Sequence, residues 1–507
     1  MSQPVEKAEF GRFRSFLWPI HLDEMKKFFP MGLIMFFIIM NYSILRTTKD
    51  ALIVPLVGPE ILPYLKFGVV MPAAILFVVL YAKLTNVMKR ENLFHLLIAS
   101  FITFFGAFAF IIFPMASTLH PDPATIVNLQ QSFPFLKHAF NIWGLWSYSI
   151  FYMLSELWGG VLLSLLFWQF ANEITRTSEA KRFYPMFGLM ANFSLPAIWI
   201  VSEVIAFYTK SIPNPHEAWE LRLDIMMSLV VLSGLLTMFL YNWMNKNVLT
   251  DSKYYDSAEK AGAPKKKKEK LSVGESFKYI LTSKYIGYIA LLVICYGVSI
   301  SLVEIVWKAQ VKDAFSGSSK FNEFTAMVQG ITGIATILLI FISKGLVARL
   351  GWFAGAITTP AVILITGVIF FILILYGGIF SPIMAALALT PLLGASYVGA
   401  LQNILSKGFK YALFDPTKEM SYIPLDQELK VKGKAAVEVI GGRFGKAGGG
   451  IILITMFSLM PGMGVVELTP YICVAFGVIL LLWLFAVIGL SRLYKQKLVE
   501  KEAEVKA

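Results

Sequence analysis

The sequence predicts an all-α polytopic membrane protein with twelve transmembrane helices arranged as two halves of six. Three observations carry that expectation. Of 507 residues, 57% are hydrophobic and only 15% charged, whereas soluble proteins average about 25% charged. Apolar windows of roughly 20 residues, enough to cross a hydrocarbon core, recur along the chain. A basic segment without a long apolar stretch divides them at the midpoint.

The N-terminal segment 1–27 mixes Glu6, Glu9, Asp23 and Glu24 with its basic residues. It lacks the apolar core and cleavage site of a signal peptide, so the first apolar stretch reads as a permanent span. The first half, 28–244, holds spans at Phe28–Lys49, Ile61–Ala82, Leu93–Phe113, Leu145–Phe170, Phe183–Phe207 and Leu223–Trp243. A basic linker, 245–284, contains the run Lys265–Lys268. It reads as a solvated connector, with contact to anionic lipid as the alternative. The second half, 285–491, holds Tyr285–Trp307, Phe324–Ser343, Phe353–Tyr376, Ile383–Leu405, Val437–Leu459 and Pro470–Leu490, before a tail at 492–507. Two six-span halves joined by a long linker is the major-facilitator arrangement.

The formal charge is +13, from 45 Lys and Arg against 32 Asp and Glu. Counting along the chain puts 34 cations on the side of the termini and linker and six, including Arg222 and Lys308, on the other. The positive-inside rule then places both termini and the linker in the cytoplasm. The simplest home is a bacterial inner membrane. Five cations remain: Arg46, Lys49, Lys66, Arg443 and Lys446.

Ionisable groups inside a membrane are costly and normally face a wet pathway. Arg46 and Lys49 share a helical face with Tyr42, although a helix end snorkelling to the interface explains them equally well. Lys446 lies in Gly441-Gly442-Arg443-Phe444-Gly445-Lys446-Ala447. This is not a phosphate-binding loop, because Ile440 and Ala447 break the pattern. Its glycines fit close helix packing, which leaves Lys446 unexplained. Register within the halves pairs Asn192 with Lys446 as quasi-equivalent cavity positions. Glu156 has no basic neighbour at helical spacing and needs a distant one. Glu304 belongs to the pathway or else pairs with Lys308 near the outer surface. Up to four cations and two carboxylates suit a polyanion of three or four charges, such as a nucleotide phosphate tail.

Other chemistries find little support. Cys295 and Cys473 read as apolar fillers, and the five histidines have no metal-ligand spacing, so neither metal nor cofactor is expected. Nor is a nucleic-acid partner. A membrane enzyme acting on a nucleotide-linked lipid would draw on Asp415, Glu419, Asp426 and Glu428, which sit among lysines. A lipid-precursor flippase is a third reading.

Several motifs resemble the ATP/ADP translocase (nucleotide transport protein) family of chlamydia-like and rickettsial bacteria and of plastids. They are Asn41-Tyr-Ser-Ile-Leu-Arg-Thr-Thr-Lys-Asp50, Ser155-Glu-Leu-Trp-Gly159, Glu179-Ala-Lys-Arg-Phe-Tyr184, Gly188-Leu-Met-Ala-Asn192 and Val303-Glu-Ile-Val-Trp-Lys308. Phe414-Asp-Pro-Thr-Lys-Glu-Met-Ser-Tyr-Ile-Pro-Leu-Asp426, Lys432-Gly-Lys-Ala-Ala436 and Gly445-Lys446 complete the set. The resemblance implies nucleotide exchange or import, with Lys49, Glu156, Glu304 and Lys446 as transport-critical charges. It places Arg46 and Asn192 near the nucleotide. Two departures stand out: Thr47 where many exchangers have Asp, and Ala447 where Ser is frequent. The first makes the site more positive.

The expected mechanism is alternating access by a monomer, with Lys49, Arg46, Arg443 and Lys446 available to phosphates. Asn192 holds base or ribose, Tyr42 or Phe444 stacks on it, and Glu156 and Glu304 neutralise the empty site. Proton-coupled transport, or a wider choice of GTP, UTP, CTP or NAD, is the alternative.

Overall fold

The computed structural model describes residues 18–251, 282–426, 433–437 and 441–506, with positions 11, 14 and 254 besides. The lysine run of the linker lies outside the described residues, as do Glu428 and Lys432.

Before the linker run α1 (Met25–Val57), α2 (Ile61–Val87), α3 (Arg90–Ile112), α4 (Trp146–Ile174), α5 (Thr177–Thr209) and α6 (Pro215–Asn247). After it come α7 (Lys284–Ala314), α8 (Ser318–Ser343), α9 (Arg349–Leu375), α10 (Gly377–Ala386), α11 (Pro391–Ser421), α12 (Gly442–Leu459) and α13 (Val465–Lys506). We call the end where α6 stops and α7 starts the linker end, and the opposite one the distal end.

The boundaries follow from local chemistry. Ser283 caps α7 by accepting from the Ile286 amide, Thr390 caps α11 through Leu393, and Asn214 caps α6 through His216 ahead of a first-turn proline. Gly58 at φ 84° ends α1, and Gly351 at φ 79° kinks the chain at the start of α9.

Ten helices among the described residues are long and apolar enough to cross a membrane, or eleven when α10 and α11 count as one span bent by 90°. The expected count of twelve is thus not reached by length and apolarity. The apolar part of α12, Ala447–Leu459, is short because charges and glycines occupy its first turns. The tenth expected span, Ile383–Leu405, is divided by the bend, where Ala388 adopts φ 55°. The helix that resumes at Pro391 carries Lys407 inside the bundle rather than in a loop. Between α3 and α4, short helices Ala116–Leu119, Pro123–Ser132 and Lys137–Gly144 form a cap on the distal end.

The two sets of helices pack alike. α1 lies on α5 and α6, and α7 lies correspondingly on α12 and α13. The sets meet along α5–α8 and α2–α12. Small residues make both kinds of contact close: a methyl group on Gly297 would sit 2.5 Å from the Gly445 carbonyl carbon, and one on Gly333 2.9 Å from the Asn192 carbonyl oxygen. Outward-facing Leu76, Phe207 and Val474 are each more than two-thirds exposed, forming an apolar belt of the kind lipid covers.

Candidate functional site

The charges singled out in α1 are not at a helix end. α1 continues two turns past Lys49, so the snorkelling alternative does not hold, and Lys49 and Asp50 are both buried. Lys49 Nζ lies 2.9 Å from Asp50 Oδ1 and 3.0 Å from Glu156 Oε1. It also sits 3.9 Å from the centroid of the Tyr152 ring, a cation–π contact. Glu156 therefore finds the distant cation it needed. α4 presents it where the helix loosens into a π-helical stretch, Gly159–Phe167, whose first glycine lets the Tyr42 ring approach.

The second set of helices closes the network. Lys308 Nζ lies 2.9 Å from Asp50 Oδ2, and Arg46 donates to Glu304 at 3.2 Å. Glu304 is shared: Lys407 is 3.7 Å away and Lys308 3.9 Å. Glu304 and Lys308 do pair across one helical turn, but away from the outer surface and within a larger set of charges. Lys308 is 5% exposed and reaches across to α1. Arg222, also counted among the outer loop cations, is fully buried. It donates to Asn322 Oδ1 at 3.1 Å, to the Ser202 carbonyl and to the Ser202 hydroxyl. Glu323 lies 3.9 Å from it.

Arg46, Lys49, Glu156 and Glu304 are thus brought together, with Asp50, Lys308 and Lys407 added by the fold. Desolvated charges of this kind persist only when paired, and deleting one partner typically costs about 3–5 kcal/mol. Tyr42 is partly buried one turn below Arg46. Asn192 stands apart, its amide donating to the Gly188 carbonyl at 2.8 Å in its own helix. Lys446 belongs to the turn of α12 where Gly445 meets Gly297. That level is seven residues, about 10 Å of helix rise, on the linker side of Glu304. The side chains of Arg443 and Lys446 lie outside the described residues.

Asp50 and Lys308 were legible in hindsight, being four residues beyond Arg46 and Glu304 on the same helical faces. Lys407 had no such signal, because the bend before Pro391 shifts the span. The Phe414–Asp426 motif is structural. Trp352 Nε1 donates to the Thr417 carbonyl at 2.8 Å and the Tyr285 hydroxyl to the Ser421 carbonyl at 2.6 Å. Lys410 pairs with Asp415 at 2.8 Å and Lys434 with Glu419 at 2.5 Å, all at the linker end. Cys295 and Cys473 are free, and no metal-holding group of His, Cys, Asp and Glu occurs among the described residues.

A multi-pass helical bundle with paired charges buried between its two sets of helices defines a membrane transporter of major-facilitator type. Solved structures agree on the fold. A bacterial homologue of the iron transporter ferroportin superposes with TM-score 0.57 at 13% identity, covering 93% of this chain and 100% of that one. The nucleoside transporter NupG gives TM-score 0.53 at 14% identity, covering 91% and 98%. The chain belongs to the TLC ATP/ADP transporter family, whose model matches residues 3–494. It is 45% identical to ADP,ATP carrier protein 1 of Rickettsia bellii over 98% of both chains. It is 44% identical to ADP,ATP carrier protein 1 of Chlamydia trachomatis over 100% of this chain and 95% of that one. Against the chloroplastic ADP,ATP carrier protein 2 of Arabidopsis thaliana it is 42% identical, over 96% and 78%. The protein is therefore a nucleotide transporter and not an enzyme.

Proposed function

We propose that the protein exchanges ATP for ADP by alternating access, the two sets of helices rocking about the buried charge network. One observation carries this reading. The cations of the network, Arg46, Lys49, Lys308 and Lys407, outnumber its carboxylates, Asp50, Glu156 and Glu304. An excess of cations in a desolvated site suits a polyphosphate, held by charge-assisted hydrogen bonds. Arg46 and Lys49 take phosphate oxygens, joined by Arg443 and Lys446 from α12. Asn192 meets base or ribose and Tyr42 stacks on the base. Without substrate, Glu156 and Glu304 hold the cations in place, and loading by nucleotide releases them.

A monomer is the working unit in this reading, since the ion pairs of the network among the described residues all form within one chain. Lipid covers its apolar belt. Both termini and the linker face the cytoplasm of a bacterium, on the count of loop cations. Of the side-chain pairs that join the two sets, Ser43 with Gln329 and Arg46 with Glu304 lie near mid-bundle. Lys308 with Asp50 and Arg222 with Asn322 lie toward the distal end. At the linker end Lys27 with Glu179 and Arg182 with Glu24 stay within one set. That asymmetry supports an inward-facing state.

Purified protein in proteoliposomes tests the reading. Internal ADP is expected to accelerate uptake of labelled ATP, and Lys49→Gln and Glu304→Gln to reduce it by about tenfold or more, the loss of one charge-assisted contact. Uptake unaffected by either substitution contradicts the site. A second reading, proton symport or wider nucleotide choice, draws on Glu156, whose side chain is 30% exposed while paired. A carboxylate with solvent access can carry a proton. Uptake into empty vesicles driven by a pH gradient favours this alternative, and a panel of GTP, UTP, CTP and NAD settles breadth.

A further inference from the structure

Lys66 is a partly buried cation that the exchange scheme above leaves unused. It opens a π-helical turn, Lys66–Val70, within α2; such turns widen a helix locally and recur at functional sites. This turn packs on α4, which carries Glu156, and on α12, which carries Lys446. The neighbouring Phe67 ring lies 3.0 Å from where a methyl group on Gly450 would stand, one helical turn beyond Lys446. Lys66 thus occupies the α2–α12 seam between the two sets. The residue is partly buried there, in the turn that packs on the helix carrying Glu156.

The pairing pattern then separates Lys66 from its neighbours. Arg46 has Glu304, Lys49 has Asp50 and Glu156, Lys308 has Asp50, and Lys407 shares Glu304. Among the described residues no carboxylate comes within ion-pair distance of Lys66. A cation at this seam with no ion-pair partner of its own needs no carboxylate to be displaced before it can bind an anion. Every other cation of the network does.

We propose that Lys66 is a substrate-binding residue: its free ammonium takes the phosphate end of the nucleotide first and supplies the charge that favours a triphosphate over a diphosphate. The proposal rests on the exchange reading of the same site. A lysine merely snorkelling to the distal surface from the first turns of α2 is the competing account.

The test compares wild type, Lys66→Gln and Lys66→Arg in proteoliposomes, with KM and maximal rate measured separately for ATP and ADP. Lys66→Gln is expected to raise the KM for ATP by about tenfold, the loss of one charge-assisted hydrogen bond. The KM for ADP should rise less, and Lys66→Arg should restore most of both. Unchanged KM values in Lys66→Gln, or an equal rise for ATP and ADP, overturn the assignment while wild-type exchange stands. A wild type that moves neither nucleotide overturns the exchange reading itself, and with it this role for Lys66. Should Lys66→Gln fail to fold, Lys66→Cys in a Cys295→Ala, Cys473→Ala background takes its place. Reaction with 2-aminoethyl methanethiosulfonate restores an ammonium and is expected to restore ATP affinity, whereas the anionic sulfonatoethyl reagent is not. Equal affinity after either reagent refutes the proposal.

Discussion

Lys308 of α7 donates to Asp50 of α1 at 2.9 Å, so the carboxylate that pairs with Lys49 holds a second lysine from the opposite set of helices. Both partners are buried. Asp50 therefore joins the two halves of the charge network as well as neutralising it.

Lys308→Gln leaves Asp50 with Lys49 as its partner, and Asp50→Asn leaves Lys308 with only the longer contact to Glu304. Asp50→Asn is therefore expected to cost more stability than Lys308→Gln, and the double substitution less than the sum. Thermal melts of the four proteins in detergent, arranged as a double-mutant cycle, measure the coupling. Strict additivity would mean that the pair is not coupled.

Arg222 makes a different kind of cross-seam link. Its planar fork reaches Ser202 on α5 and Asn322 on α8 at once. Lysine cannot satisfy both, so Arg222→Lys should melt nearly as low as Arg222→Met, although it keeps the charge. Full rescue by lysine would show that charge alone matters.

The α5–α8 seam tolerates no added bulk at Gly333, where a methyl would press on the Asn192 carbonyl and on Leu195. Gly333→Val is expected to cost about 1–3 kcal/mol by overpacking and to slow exchange. Gly378, where a methyl meets open space, serves as the control. Matched melting curves and initial rates for the two variants decide it.

His138 in the distal cap supplies a pH dependence. It stacks on Tyr64 with ring centroids 4.3 Å apart, and burial lowers its pKa from 6.5 to about 4. The folded protein thus binds fewer protons than the unfolded chain between those values. Stability is expected to fall as pH drops from about 6.5 toward 4, and His138→Phe should flatten that part of a melting-temperature profile. An unchanged slope would exclude His138 as its source.

Much of this arrangement was legible in sequence because burying a charge in a membrane span is costly and therefore conspicuous. Arg46, Lys49, Glu156 and Glu304 stood out on that ground alone, and they meet. The missed members failed for identifiable reasons. Asp50 and Lys308 lay at assumed helix ends, because apolar windows end before the helices do. Lys407 lay beyond a span whose true start is set by the break at Ala388, a backbone feature without an apolar signature. The family-specific Phe414–Asp426 stretch points away from the site, since its hydrogen bonds tie α9 and α7 to the linker end. Fold class needs only the spacing of apolar runs; partners across a seam depend on three-dimensional register.

The contact between Gly297 and Gly445 brings two backbones to within van der Waals distance. Helices so placed cannot slide or turn past one another without collision, so α7 and α12 behave as one plate. Glu304, Lys308 and the backbone of Lys446 ride on it together. When that plate swings from α1, the bonds from Arg46 to Glu304 and from Asp50 to Lys308 must lengthen in the same stroke. One movement thus governs both cross-set bonds, while Lys49 keeps Asp50 and Glu156 within the first set.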